Sequence, residues 1–121
     1  MGTIILVDDD RSNTTLLKML LEMDGFQVSA CPGMVQALDA ANDSVDAFII
    51  DCNLAQGEDG IELLQAIRNG STNAPQDCPV IVTSGDDGRI EEAELAGATT
   101  FLLKPFSPSS LSDLLRSVLV R

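Results

Sequence analysis

The stretch FIIDCNLAQGEDG, residues 48–60, carries an unbroken apolar run straight into Asp51 and then into a polar loop. Counted from Ala47 the run is four residues long, too short for a helix, and it lacks the apolar–polar alternation of a half-exposed strand. Such a segment reads as a central parallel strand buried on both faces, ending on one carboxylate.

Working outward, IILV at 4–7, PVIV at 79–82 and TFLL at 100–103 read in the same way. FQVSA at 26–30 differs, because Phe26, Val28 and Ala30 alternate with polar residues, the period expected at a sheet edge. Helical stripes fill the gaps. Leu16, Leu17, Leu20 and Leu21 follow a candidate cap at Asn13; Met34, Ala37, Leu38 and Ala41 share one face; Ile61, Leu64 and Ile67 precede an Asn69-Gly70 stop. A weaker helix is expected over residues 89–96, ending at Gly97. In the last helix Ser107 caps, Pro108 occupies the first turn, Leu111, Leu114, Leu115, Val118 and Leu119 form the stripe, and Arg116 and Arg121 suit the C-terminal dipole. Five alternations of strand and helix predict an α/β fold: a five-stranded parallel sheet with helices on both faces, in one domain over residues 1–121.

Composition narrows the function classes. Hydrophobic residues form 45% of the 121 but aromatics only 3%, so the core must be aliphatic. Seven basic against 19 acidic residues give a net charge of −12, which repels a polyanion and excludes direct nucleic-acid binding by this segment. Three widely spaced cysteines form no CxxC pattern, so neither a disulfide framework nor a zinc site is indicated, and a reducing cytoplasm is the expected setting. No apolar stretch reaches the length of a membrane span, which predicts a soluble segment.

In an open parallel sheet, functional groups collect beyond the C-terminal strand ends. The residues that follow the apolar runs are Asp8-Asp9-Asp10, Asp51, Thr83-Ser84-Gly85 and Lys104-Pro105. Carboxylates converging there would repel one another unless a hard cation sat among them, and all-oxygen ligation suits Mg2+. The chain has no histidine to support zinc or iron. A carboxylate can also act as a nucleophile toward phosphorus, and phosphoryl transfer asks mainly for positioning and charge neutralisation.

As a spaced set, LVDDD, FIIDCN, VIVTSG and FLLKPF resemble the receiver domain of two-component response regulators, across essentially the whole chain. The resemblance implies the (βα)5 flavodoxin-like fold, Asp51 as phosphoacceptor, and a Mg2+ site formed by Asp8, Asp9, Asp51 and the backbone carbonyl of Asn53. Asp10 is then peripheral. It also implies a switch hydroxyl five positions after the strand-opening proline and before a small residue; counted from Pro79 to Gly85, this is Ser84, with Thr83 on the opposite side of the strand. Lys104 would pair with phosphoryl oxygens, the Lys104-Pro105 peptide would be cis, and Phe101 would be the aromatic that swings inward on switching.

Two features depart from the family's commonest pattern: Ala55 stands where receivers commonly carry proline, and the loop reaches Gly60 one residue late. Cys52 should point away from Asp51 as an inert buried thiol, with Cys31 and Cys78 alike. The implied partners are a sensor histidine kinase or histidine phosphotransfer protein as donor, and a homodimer or output domain on the face of helix four, strand five and helix five. Two alternatives are a haloacid-dehalogenase-like phosphatase, whose motif wants an aspartate where Asn53 stands, and a receiver-like binding module that signals without phosphate.

Overall fold

The computed structural model describes residues 2–119, so Arg121 lies outside the described residues. Five strands, β1 (Thr3–Val7), β2 (Gln27–Cys31), β3 (Ala47–Asp51), β4 (Val80–Ser84) and β5 (Thr100–Leu103), alternate with five helices, α1 (Arg11–Met23), α2 (Met34–Ala40), α3 (Gly60–Arg68), α4 (Ile90–Leu95) and α5 (Pro108–Leu119). All pairings are parallel, in the order β2-β1-β3-β4-β5. The order reverses between β1 and β3, which opens a crevice beyond their C-terminal ends.

Each central strand divides its side chains between two cores. Ile4, Leu6, Ile49 and Ile81 pack with Leu17 and Leu21 of α1 and with Leu111 and Leu115 of α5. Ile5, Val7, Phe48, Ile50, Val80 and Val82 pack on the other face with Ala37, Leu64, Ile67 and Ala93 of α2 to α4. Every residue of β3 and β4 is buried, as the continuous apolar runs require. Each large aliphatic side chain buried this way contributes roughly 1.5–3 kcal/mol, so an almost purely aliphatic core suffices.

The structure corrects several local expectations. TFLL is an edge strand, not a central one: β5 pairs with β4 alone, and its residues are half-buried or, at Leu103, exposed. An apolar run shows that a strand has cover, but not that it has a neighbour on each side. β2 is the other edge, and its alternation breaks at Ala30, which is exposed while Cys31 is buried. The cap of α1 is Asp10, whose carboxylate accepts the Asn13 N–H at 3.1 Å; Asn13 lies inside the first turn. Leu16 and Leu38, expected in buried stripes, are exposed, because the sheet covers a narrower arc of each helix than its leucines span. In the last helix the Ser107 hydroxyl accepts the Ser110 N–H at 3.1 Å, and Arg116 sits in the final turn.

Candidate functional site

The crevice is furnished by residues that end strands. Asp8 follows β1, Asp51 ends β3, Ser84 ends β4 and Lys104 follows β5. Ligand oxygens of Asp8, Asp9 and Asp51 all lie within 4.8 Å of one another. Lys104 reaches across from the sheet edge, with its Nζ 2.7 Å from Asp51 Oδ2 and 3.0 Å from Asp8 Oδ2. The other oxygen of each carboxylate turns toward backbone: Asp8 Oδ1 accepts the Asp10 N–H at 3.0 Å, and Asp51 Oδ1 accepts the Asn53 N–H at 3.1 Å. Asp9 is exposed.

Burial and charge act against each other here. Burial pushes the Asp51 carboxyl above its ordinary range, opposed by the Lys104 hydrogen bond and the Asn53 N–H. Burial would likewise push the Lys104 ammonium down, but hydrogen bonds and charge from Asp51 and Asp8 outweigh it, and the group ends above its ordinary value. The lysine therefore stays charged and screens two acids. A third acid at Asp9 leaves the cluster with more negative charge than one ammonium balances, and the exposed side accepts more positive charge. The three carboxylates form an all-oxygen donor set that fits a hard divalent cation such as Mg2+.

The strand register places the hydroxyls. Thr83 is the Cα partner of Asp51, and Ser84 follows it as the last residue of β4; both are buried. Ser84 continues the face of Val82, and its Oγ accepts the Asp86 N–H at 3.1 Å, which ties it to the loop that leads into α4. Phe101 pairs in register with Val82 and packs, half-buried, against the same core. Ser84 and Phe101 thus lie on one face of the sheet, toward α4. The Lys104-Pro105 bond is cis.

The loop after Asp51 is held without a proline. Ala55–Gly57 form a single 3₁₀ turn, closed by Gln56 and Gly57 at positive φ (61° and 76°) and by an antiparallel bridge between Asn53 and Asp59. Gly60 then opens α3 hard against the sheet: its N–H donates to Cys52 O at 2.8 Å, and a Cβ there would lie 2.0 Å from the Asp51 carbonyl oxygen. Only glycine fits. Cys52 is fully buried on the face away from Asp51, and burial pushes its thiol up to about 11; Cys31 and Cys78 are buried too. The thiolate that redox chemistry needs is suppressed at Cys52.

Sequence reasoning missed two carboxylates and an arginine. Glu58, in the lengthened loop, accepts the Met34 N–H at 3.1 Å and so caps α2, whose own cap position is the bare Gly33. Asp59 caps α3 by accepting the Ile61 N–H at 3.0 Å, and Arg89, from the start of α4, pairs with the same carboxylate at 2.8 Å. Asp59 before Gly60-Ile61 carried a legible cap signal. Arg89 carried none, because its partner is 30 residues away.

A sequence model of the response regulator receiver domain matches residues 4–116. The chain belongs to that family. Among the relatives of this receiver, the transcriptional regulatory protein CpxR of Escherichia coli is 38% identical over 124 aligned residues, covering all of this chain and 50% of CpxR. The receiver thus spans about half the length of that relative. Among solved structures, the receiver domain of a sensor histidine kinase from Pseudomonas aeruginosa, with a magnesium ion coordinated in its active-site cleft, superposes with a TM-score of 0.84 at 28% identity, covering 98% of each chain. The chemotaxis protein CheY4 of Vibrio cholerae gives 0.87 at 28% identity, covering 98% of this receiver and 99% of CheY4. These likenesses confirm the flavodoxin-like receiver fold, and nothing in them favours the phosphatase or the phosphate-independent module. Among the described residues, no helix is long and apolar enough to cross a membrane.

Proposed function

We propose that residues 1–121 form one receiver domain that accepts a phosphoryl group on Asp51 from a phosphohistidine and changes its partner-binding surface in response. The observation that carries this reading is the meeting of Asp51, Asp8 and Lys104 within 3.0 Å contacts at one strand-end crevice, with Asp9 close enough to share a cation. Since the chain has no histidine, the donor imidazole belongs to another domain or chain, either a sensor histidine kinase or a phosphotransfer protein.

Asp51 is the nucleophile: one carboxylate oxygen forms the new bond to phosphorus in line with the breaking P–N bond, whose electrons stay on the donor imidazole. Asp8, Asp9, Asp51 and the Asn53 carbonyl would hold Mg2+, which supplies charge neutralisation on the transferring oxygens when bound. The Asn53 N–H fixes the orientation of Asp51 through its Oδ1, leaving Oδ2 beside Lys104. In the product Lys104 exchanges a carboxylate partner for a phosphoryl oxygen, and Ser84 donates its hydroxyl to another. Water later hydrolyses the acyl phosphate and resets the domain.

Ser84 is favoured as the switch over Thr83 because it ends β4 and its Oγ already accepts the Asp86 N–H of the β4–α4 loop. Withdrawing its hydroxyl from Asp86 pulls on that loop and opens space for Phe101, which would alter the face of α4, β5 and α5 used for homodimerisation or an output domain. The buried cysteines fit a cytoplasmic setting.

The test is intact mass after incubation with acetyl phosphate and Mg2+. The native chain should gain a single alkali-labile HPO3 adduct, and Asp51→Asn should gain none. An adduct of equal yield on the variant would move the phosphoacceptor elsewhere.

A further inference from the structure

Two loops stand side by side at the site, one leading from β3 into α3 and one from β4 into α4, joined by a single side chain. Arg89 Nη2 donates to both oxygens of Asp59, at 3.0 and 2.8 Å, while its Nε donates to Glu92 at 2.7 Å. On one side Asp59 is paired through backbone with Asn53, the expected carbonyl ligand. On the other, the Arg89 N–H donates to Asp86 O at 3.4 Å, and the Asp86 N–H is the donor to Ser84 Oγ. A continuous chain of contacts therefore runs from the metal loop to the switch hydroxyl without passing through Asp51.

The two ends of this ion pair differ in how firmly they are seated. Asp59 is held on both sides: its carboxylate caps α3 through the Ile61 N–H, its backbone bridges Asn53, and the next residue, Gly60, donates its N–H to Cys52 O at 2.8 Å. Arg89 opens a helix of six residues with a single buried side chain, Ala93. A weakly packed helix is thus tied to a rigid anchor. When Ser84 turns toward a phosphoryl group, Asp86 loses its acceptor and the turn carrying Arg89 is drawn with it, so the contact to Asp59 must stretch or break.

We propose that the Arg89–Asp59 ion pair is a latch: it holds the start of α4 in the unphosphorylated arrangement and sets how readily modification of Asp51 switches the domain. Arg89 is a positioning residue, and the latch rests on the phosphorylation reading given above. The pair is partly solvated, with side chains 22% and 33% exposed, which keeps its influence modest. Releasing it should favour the switched state by about two- to fivefold, or ~0.4–1 kcal/mol.

The full chain can be titrated with beryllofluoride and Mg2+, a mimic of the phosphoryl group, while hydrogen exchange is followed across α4. Arg89→Met and Asp59→Asn, the latter retaining a cap-forming side chain, should each bind the mimic about two- to fivefold more tightly than native, as expected for loss of a partly exposed pair. The double variant should bind no more tightly than either single one. Arg89→Lys should fall between native and Arg89→Met, because an ammonium keeps the charge but not the fork. Affinity for Mg2+ alone should be unchanged in all of them, and Glu92→Gln should leave mimic affinity at the native value. Unchanged or weaker mimic binding by Arg89→Met would overturn the latch, as would a parallel change in Mg2+ affinity, which would mean that the pair only shapes the metal loop. Failure of the native chain to bind the mimic would overturn the phosphorylation reading itself, a result distinct from either.

Discussion

The two rims of the sheet each seat one long cation in a nest of oxygens, and the nests are of different kinds. At the C-terminal rim Lys104 meets the side-chain carboxylates of Asp8 and Asp51. At the opposite rim Arg68, the last residue of α3, donates to backbone carbonyls: Gly97 O at 2.8 Å, Gln76 O at 2.9 Å and Cys78 O at 2.6 Å, with Gln76 Nε2 returning a bond to Arg68 O at 2.6 Å. Burial pulls the Arg68 guanidinium below its ordinary value, whereas Lys104 is held above its own by the acids it faces. Backbone carbonyls neither titrate nor act as nucleophiles toward phosphorus. Carboxylates can do both, so the same type of contact is a fixture at one rim and a reactive site at the other.

The largest expected effect breaks the fixture. Arg68→Met strands three carbonyls that join α3 to the starts of β4 and β5, and should cost about 2–4 kcal/mol in urea unfolding, with no recovery on adding Mg2+. Lys104→Met should cost less, about 1–3 kcal/mol in metal-free buffer, because it leaves two sheltered carboxylates facing each other. Here added Mg2+ should restore most of the loss by supplying the missing positive charge. If Mg2+ rescued both variants, or neither, the distinction between the rims would fall.

A smaller effect sharpens the picture within the C-terminal rim. Ser84→Ala removes the acceptor of the Asp86 N–H and should cost about 0.5–1.5 kcal/mol. It should also abolish the change in hydrogen exchange of the β4–α4 loop that acetyl phosphate and Mg2+ produce in the native chain. Thr83→Val, isosteric and one residue deeper in the strand, should keep that change. The opposite result would transfer the switch role to the hydroxyl that the register sets level with Asp51.

Most of the fold was legible because strand cover and helix stripes are periodic properties of neighbouring residues. The runs at 4–7, 47–50 and 79–82 are the central strands, and the stops at Asn69-Gly70 and Gly97 end α3 and α4, with both glycines at positive φ. TFLL misled because sheet order is not local: whether a sixth strand lies beyond β5 is decided by the whole topology. The expected cap at Asn13 failed for a local reason, since Asp10 sits three residues earlier with the extended backbone and short carboxylate that a cap needs.

The candidate site divides in the same way. Residues that end strands were readable one by one, because a parallel sheet sends all its C-terminal ends to a single rim. That rule brings Lys104 and Asp51 to the same rim, but the 2.7 Å contact between them depends on the lysine reaching across from the edge strand. Glu58 on α2, Arg89 on Asp59 and Arg68 among its carbonyls gave no such warning, since each joins elements whose adjacency depends on crossovers and not on spacing.

What the sequence determined by itself is therefore the alternation of strands and helices, the aliphatic core and the identity of the acids, hydroxyls and lysine at one end of the sheet. Those follow from short-range periodicity and the direction of parallel strands. Only the tertiary structure decided which strands are edges, which hydroxyl stands level with Asp51, and which charges bridge loops 30 residues apart, because such contacts are set by how whole elements pack and not by any residue's neighbours in the chain.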